Sequence, residues 1–305
     1  MNKLAIGVDL GGTNLRIAAV DDQGKLVEKV TLGTQVSLGR DHVIGEMCNA
    51  IQSMSDKYKS SAALLGIGIG VPGIIDMQTG LVRESPNLPD WVDYPARAAV
   101  EQRLKTVVIL ENDANVAALG EKWLGAAKDF SDMAMLTLGT GVGGGIVLGG
   151  KIWRGANGMA GEFGHVQMEI NGPLCGCGGR GCWETVSSNR AGLRYYEELS
   201  GSPAPQNFAA LVKMAQADDV HAIKALQKMS SFLGRGLRMI ASALAPSEIV
   251  IVGDITTAWY MFGPIIEAEL KQNALSKEPR LRPSFEGNTA RLRSAVALVM
   301  NGSLV

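Results

Sequence analysis

The chain has 305 residues, a formal net charge of −1, 46% hydrophobic residues and only 5% aromatic ones. This length predicts two domains or one large one, and the composition predicts a core of aliphatic side chains. The near-zero net charge argues against nucleic acid as the main partner, because neutralising phosphates requires an excess of Lys and Arg.

The sequence predicts neither a signal peptide nor a membrane span. The apolar run 4–8 is too short for the core of a signal peptide, and Asp9 follows it directly. No apolar run approaches the length of a membrane span. Three of the four cysteines lie close together in a ligand-like arrangement, which fits a reducing compartment. We therefore expect a cytoplasmic protein.

Predicted strands and helices alternate along the chain, which indicates an α/β fold. Predicted strands cover residues 4–8, 15–20, 26–32, 65–71, 106–110, 133–138, 144–148 and 249–252, and predicted helices cover 43–54, 111–124, 226–244 and 290–300. The most linker-like segment is 200–206, which contains Gly201, Pro203 and Pro205. The segments from residues 4 and 133 each show an apolar strand, a Gly/Thr turn, a return strand and a Gly-Lys turn. This weak repeat predicts two related α/β halves facing a cleft.

The segment from Gly161 to Glu184 holds a cluster of potential metal ligands. Cys175, Cys177 and Cys182 fall within eight residues and alternate with glycines, which allow the sharp turns that bring thiolates together. With His165 they form a candidate tetrahedral Cys₃His zinc site, whose closed coordination marks it as structural. A glycine-rich loop with reduced, incidental cysteines is the alternative. A disulfide is less favoured, since three clustered cysteines leave one unpaired.

Two glycine-rich turns follow predicted strands, DLGGTN from Asp9 and LGTGVGGG from Leu138. Gly11 and Gly12 permit backbone N–H groups to approach a phosphate, and the Thr13 hydroxyl is a further donor. Asp9 is placed to hold Mg²⁺ directly or through water. The first turn is not a Walker A loop, since it lacks the Gly-Lys-Ser/Thr ending. It is not a Rossmann fingerprint either, since a strand and not a helix follows it. A purely structural hairpin is the alternative.

The sequence NDAN, residues 112–115, lies where a predicted strand meets a predicted helix. Ligands of open α/β sheets bind at the carboxyl ends of strands. Asp113 is thus a candidate general base, with Asn112 as its hydrogen-bonding neighbour. The alternative is that one of these side chains only caps the helix.

Six segments, in chain order DLGGTN, SPNLPDW, NDAN, LGTGVGGG, GEFGH and CGCGGRGCWE, resemble the ROK family of repressors and sugar kinases, in particular its glucokinase-like members. The resemblance runs from about Leu4 to Val299. It implies an actin-like, hexokinase-type ATPase fold, in which two α/β domains enclose ATP and sugar. We expect a small domain over residues 1–115, with the last helix at about 290–305 packed on it, and a large domain over 116–289 that carries the zinc loop.

The resemblance also implies a set of site residues. Asp113 is implied as the base that acts on a sugar hydroxyl. The implied sugar-binding residues are Gly73, Asn87, Asn112, Asp113, Glu162, His165 and Glu184. The implied phosphate contacts are Gly11, Gly12, Thr13, Thr140 and Gly141, and the implied zinc ligands are His165, Cys175, Cys177 and Cys182.

Two positions depart from the family pattern. Family kinases commonly have a Gly-Gly pair after the strand at 249–252, where this chain has Gly253-Asp254. The last helix often begins with Gly-Ala, and here the pair is Ser294-Ala295. Both positions are expected on the nucleotide side, and we assign Gly253 and Asp254 to nucleotide binding, with Asp254 accepting hydrogen bonds from the ribose hydroxyls. The alternative is that the Asp254 carboxylate crowds or repels the phosphates.

The resemblance implies an ATP-dependent hexose kinase that makes glucose 6-phosphate, with Mg²⁺ on the phosphates, a structural Zn²⁺ and a homodimeric assembly. An N-acetylhexosamine, mannose or fructose kinase is the alternative enzyme. A sugar-sensing regulator without activity is the alternative of another class, since fold alone does not fix function. A DNA-binding repressor is disfavoured. In family repressors a helix-turn-helix domain precedes the first glycine turn, and the few residues before Asp9 in this sequence are too short for one.

Overall fold

The computed structural model describes residues 2–85, 87–272, 278–284 and 287–300. The strands are β1 (Asn2–Leu10), β2 (Asn14–Asp21), β3 (Leu26–Gly33), β4 (Ala62–Val71), β5 (Ile74–Asp76), β6 (Leu81–Glu84), β7 (Val108–Asn112), β8 (Met133–Leu138), β9 (Val142–Leu148), β10 (Lys151–Ile152), β11 (Glu248–Gly253) and β12 (Arg280–Pro283). The α-helices are α1 (Arg40–Tyr58), α2 (Ala96–Leu104), α3 (Asp113–Trp123), α4 (Trp183–Ser187), α5 (Asn189–Ser200), α6 (Phe208–Gln216), α7 (Val220–Leu244), α8 (Trp259–Lys271) and α9 (Gly287–Met300).

The first sheet has the strand order β3-β2-β1-β4-β7. β1, β2 and β3 pair antiparallel as a meander, and β4 and β7 continue the sheet parallel to β1. The predicted strands 4–8, 15–20, 26–32 and 65–71 lie in this sheet, whereas the strand predicted at 106–110 begins and ends two residues later, as β7, so that α3 begins at Asp113 and not at Glu111. Because β1, β4 and β7 are parallel, their carboxyl ends lie along one edge, which is where α/β sheets bind ligands.

Both faces of the first sheet are covered by helices. On one face, the apolar side chains of α1 and α2, including Met47, Ile51 and Val100, pack on the strands. On the other face, Leu292 and Val296 of α9 contact small residues of β1 and β2. Glycines in the strands permit this close approach, since a Cβ on Gly68 would collide with the backbone carbonyl of Ala295. The predicted helix 290–300 is thus confirmed as part of α9.

The second sheet has the strand order β10-β9-β8-β11-β12, with β8, β11 and β12 parallel. Strand for strand, this order repeats that of the first sheet, which agrees with the predicted repeat of strand and turn. Its core combines Leu136 and Ile251 of the strands with apolar side chains from α4 to α8. The α/β class predicted from the sequence is confirmed.

By its internal contacts the chain divides into a first unit of residues 1–129, 145–160 and 288–305 and a second unit of 130–144 and 161–287. The division falls inside β9. The domain boundary that we placed at residue 115 stays a prediction. Among the described residues, no helix has both the length and the apolar character needed to cross a bilayer.

Candidate functional site

The three clustered cysteines and His165 converge in the second unit. Their candidate ligand atoms all lie within 4.8 Å of one another. The Sγ atoms of Cys177 and Cys182 are 3.6 Å apart, and Cys175 Sγ is 3.5 Å from His165 Nδ1. A tetrahedral zinc ion, ~2.3 Å from sulfur and ~2.0 Å from nitrogen, would separate these pairs by about 3.8 and about 3.5 Å. The four side chains therefore fit a Cys₃His zinc site.

Tight turns build this metal-binding loop. The N–H of Cys175 donates to Gly179 O at 2.8 Å, and the N–H of Gly178 donates to Cys175 O at 3.0 Å. Gly178 has a φ of +86° and Gly181 one of +64°, which glycine adopts at little cost. Burial raises the pKa of the Cys175 and Cys182 thiols, while the N–H of Gly179 lowers the pKa of Cys177. Cys177 is therefore the thiol most readily ionised before a metal binds.

Two carboxylates flank His165, which lies in a short 3₁₀ helix, Phe163–His165. Its Nδ1 faces Cys175, whereas its Nε2 is 3.8 Å from Glu162 Oε2. Glu184 Oε1 is 4.0 Å from His165 Nδ1 and accepts a hydrogen bond from Cys175 Sγ at 3.0 Å. The His165 ring can thus bind a metal through Nδ1 and present Nε2 beside Glu162, an arrangement typical of metal-bound histidines.

The second glycine turn lies against these carboxylates. A Cβ on Gly141 would collide with Glu184 Oε2, so the backbone of the turn touches that carboxylate. A Cβ on Gly164 would likewise collide with Val142 O, and Asn189 donates its N–H to Gly139 O at 2.9 Å. Thr140 is exposed. The structure thus brings Gly141 together with Glu184, while phosphate contacts by Thr140 and Gly141 stay predictions.

In the first unit, Asp9 is the next-to-last residue of the buried strand β1 and pairs with Arg16. Asp9 Oδ2 accepts from Arg16 Nη1 at 2.9 Å, and the Asp9 side chain is only 11% exposed. The two residues lie opposite each other in the register of β1 and β2. Sequence reasoning missed Arg16, although the hairpin around DLGGTN would have revealed it, because residues at equal distances from the turn face each other.

The first glycine turn packs on the segment that carries Asn87. A Cβ on Gly12 would lie 3.1 Å from both Asn87 Cβ and Asn87 O. The turn is closed by the N–H of Gly11, which donates to Asn14 O at 2.9 Å, and by Thr34 Oγ1, which donates to Gly11 O at 2.6 Å. A candidate phosphate-binding turn and a candidate sugar-binding side chain therefore adjoin within the first unit.

Asn112 and Asp113 mark the end of β7 and the start of α3. Asn112 Oδ1 accepts from the N–H groups of Ala114 and Asn115 at 2.9 and 3.2 Å, and its Nδ2 donates to Gly73 O at 3.0 Å. Asn112 is thus the helix cap that we considered as an alternative, and a sugar contact by this side chain stays a prediction. Asp113 Oδ1 accepts from the N–H of Ala114 at 2.9 Å. This bond helps to fix the orientation of the candidate base.

Gly73 is expected to tolerate no side chain. Its φ is +117°, and a Cβ there would collide with Glu84 O. We expect Gly73→Ala to lower the free energy of unfolding by more than about 2 kcal/mol, because backbone strain adds to the collision. The matched control is Gly150→Ala, with a φ of +80° and nothing within 4 Å of its Cβ, for which about 1 kcal/mol is expected. Urea unfolding measures both, and equal losses would rule out the collision.

The two departures from the family pattern have different surroundings. Gly253 has a φ of +149°, and a Cβ there would collide with Leu138 O. Asp254 opens the 3₁₀ helix Asp254–Ala258 and is exposed. Ser294, by contrast, is 1% exposed, and its Oγ adjoins the place where a Cβ on Gly120 would lie. Ser294 is therefore a packing residue of the first unit, whereas Asp254 is accessible to a ligand.

The sequence profile of the ROK family matches residues 5–301. The chain belongs to the ROK family. It is 38% identical to a glucokinase of Thermotoga maritima over 275 residues, which cover 86% of each chain. A ROK family glucokinase from Streptomyces griseus, solved in complex with glucose and AMPPNP, matches with a TM-score of 0.83 and 30% identity over 97% of this chain and 98% of that one.

The ROK family also includes regulators. The xylose repressor of Bacillus subtilis is 28% identical over 97% of this chain and 77% of its own length. The predicted actin-like, hexokinase-type fold of this chain is confirmed by the match to ROK family structures. Because kinases and repressors share the ROK scaffold, the assignment of activity depends on the site residues.

Proposed function

We propose that this chain is an ATP-dependent hexose kinase that converts glucose to glucose 6-phosphate, releasing ADP. The observation that carries the proposal is the trio of Glu162, His165 and Glu184, held together beside a metal-binding loop. Sugars are recognised through hydroxyl groups that both donate and accept, and paired carboxylates with an imidazole are suited to bind them. The similarity to glucokinases favours glucose among the hexoses.

Asp113 would act on the acceptor hydroxyl. In kinases a carboxylate orients the attacking hydroxyl and accepts its proton as the bond from oxygen to the γ-phosphorus forms and ADP leaves. Two observations support this role: Asp113 directly follows the carboxyl end of a parallel strand, and its neighbour Asn112 is fixed by three hydrogen bonds. Little rearrangement is then needed at the moment of transfer, which favours catalysis.

The two glycine turns are suited to hold the phosphates of ATP. Gly11, Gly12 and Thr13 would donate backbone N–H groups and a hydroxyl, and Thr140 and Gly141 offer the same kinds of donor. Asp9 offers a carboxylate to Mg²⁺, which when bound neutralises phosphate charge. Arg16, whose Nη1 donates to Asp9 Oδ2 at 2.9 Å, orients that carboxylate.

The Cys₃His cluster would hold a zinc ion with a structural role. Four protein ligands complete a tetrahedron and leave no open position for substrate. Such an ion would cross-link His165 to the loop of residues 175–182 and so fix the ring between Glu162 and Glu184. The protein would thereby present its sugar-binding groups in one geometry, which lowers the entropic cost of binding.

An ADP-release assay with a panel of sugars tests the proposal. The panel contains glucose, mannose, fructose, N-acetylglucosamine and N-acetylmannosamine, each with ATP and Mg²⁺. We expect the highest kcat/KM with glucose. A preference for an N-acetylated sugar would move the assignment to a hexosamine kinase. Sugar binding without ADP release from any sugar would identify a sugar-sensing regulator.

Asp254 is proposed to contact the ribose of ATP, because it is exposed and follows Gly253 at the end of β11. We expect Asp254→Gly to raise the KM for ATP about tenfold or more, as loss of one hydrogen bond to a charged group implies, and to leave the KM for glucose within twofold. Steady-state kinetics with each substrate varied in turn separates the two effects. A change confined to the KM for glucose would exclude the ribose contact.

We also propose a homodimer, on the ground that this assembly is usual for the family. Size-exclusion chromatography with light scattering measures the mass directly. A mass of one chain at micromolar concentration would contradict this assembly.

A further inference from the structure

Glu111 is a buried carboxylate directly before the candidate base segment. It is 2% exposed and is the next-to-last residue of β7. Its Oε1 accepts from the N–H of Asn112 at 2.9 Å and from Asn115 Nδ2 at 3.1 Å. One oxygen of Glu111 therefore binds both the capping residue and the first turn of α3, on either side of Asp113.

The second oxygen of Glu111 binds an arginine from a distant part of the first unit. Arg154 Nε is 2.7 Å and Nη2 is 2.6 Å from Glu111 Oε2, and the arginine side chain is only 19% exposed. Arg154 begins a loop after β10, and its carbonyl accepts from the N–H of Ala160 at 3.1 Å. The ion pair thus ties the start of α3 to the loop 154–160.

A stability role alone does not explain this ion pair. Burying two charges costs several kcal/mol, and well-packed apolar residues often stabilise a fold as much or more. The pair lies where Asn112 and Asp113 must be held, and Asn112 continues the network by donating to Gly73 O at 3.0 Å. Glu111, Asn112 and Gly73 are therefore linked by direct hydrogen bonds at the edge that carries the candidate base.

We propose that Glu111 and Arg154 are positioning residues that hold Asp113 and the Asn112 cap in the geometry needed for phosphoryl transfer. This inference rests on the proposed kinase function. Displacing a reacting group by about 1 Å can reduce the rate about a hundredfold. Loss of the pair therefore changes kcat more than the KM for ATP, whose expected contacts lie elsewhere in the chain.

The test compares wild type, Glu111→Gln and Arg154→Lys in steady-state kinetics, with circular dichroism to confirm folding. Glu111→Gln keeps the shape but removes the charge that binds the guanidinium. Arg154→Lys keeps the charge but removes the Nε donor that binds Glu111 Oε2 at 2.7 Å, so it remains informative if the first variant fails to fold. We expect kcat to fall about tenfold or more in the first and about threefold or more in the second, with the KM for ATP within twofold.

Glu121→Gln is the matched control. Glu121 is also a carboxylate of the first unit, 3% exposed, and it lies towards the other end of α3, where its Oε2 accepts from the N–H of Ala126 at 2.9 Å. We expect this variant to lose stability but to keep kcat within twofold. A Glu111→Gln variant that lowers kcat no more than Glu121→Gln does would overturn the positioning role.

The double variant Glu111→Gln/Arg154→Met tests whether removing both charges restores part of the kcat that Arg154→Met loses. Arg154→Met alone leaves a buried, uncompensated carboxylate, whereas the double variant leaves none. We expect a higher kcat for the double variant than for Arg154→Met, and strictly multiplicative effects would contradict a shared network. A wild type that releases no ADP would overturn the proposed kinase function, and this inference with it. An active wild type together with unchanged kcat in Glu111→Gln and Arg154→Lys overturns this inference alone.

Discussion

Replacing Asp113 by Asn is expected to lower kcat with glucose by at least about a hundredfold, the usual contribution of a general base. The amide keeps the shape of the side chain and can still accept from the N–H of Ala114, the bond that Asp113 makes at 2.9 Å. It cannot accept the proton of the attacking hydroxyl. Glucose binding, measured by calorimetry, should stay within about threefold of wild type.

A matched control separates the loss of a base from the loss of a helix-start carboxylate. Asp219 caps α7 by accepting from the N–H of Ala222 at 2.8 Å, and Asn is an equally good cap. Asp219→Asn should therefore keep kcat within twofold. An Asp113→Asn enzyme that turns over at the wild-type rate would remove Asp113 from the mechanism.

Replacing Cys177 by Ser is expected to reduce zinc from about one ion per chain to a small fraction of that. Cys177 is the exposed cysteine of the cluster, so the substitution disturbs little packing. Without zinc, His165 loses its anchor at Nδ1, and Glu162 and Glu184 lose their fixed spacing around the ring. The KM for glucose should rise about tenfold, equivalent to one or two weakened hydrogen bonds. Elemental analysis and steady-state kinetics on one preparation measure both effects.

Cys48 offers the control for this prediction. It is a buried cysteine of α1, outside the cluster and in the first unit. Cys48→Ala should keep one zinc per chain and an unchanged KM for glucose, even if it lowers the stability of the fold. Wild-type protein that is isolated without metal and yet is fully active would contradict a structural role for zinc at the Cys₃His cluster.

Local patterns in the sequence were enough to predict the central strands and the longest helices. The runs that became β1, β4, β8 and β11 are apolar and bounded by glycine or polar turns, so their burial is evident without tertiary information. Some of the elements missed by the sequence are short or interrupted, although the 12-residue helix α5 is neither. β5 has three residues, and α8 contains Pro264, which removes a backbone donor from its interior.

The candidate site shows the same limit. The Cys₃His cluster could be predicted because three of its ligands lie within eight residues and glycines separate them. The pair Glu111–Arg154 could not, since 43 residues separate its members and only the folded sheet brings them together. The capping role of Asn112 was open to prediction, but its bond to Gly73 O depends on the loop after β4, which the sequence does not position.

The most direct test of the kinase assignment is the identity of the product. Purified protein is incubated with glucose, ATP and Mg²⁺, and the products are followed by phosphorus NMR. We expect equal amounts of ADP and of glucose phosphorylated at O6, and none of either without glucose. Calorimetric binding of glucose with no phosphorylated sugar would contradict the kinase assignment and would identify the chain as a sugar sensor.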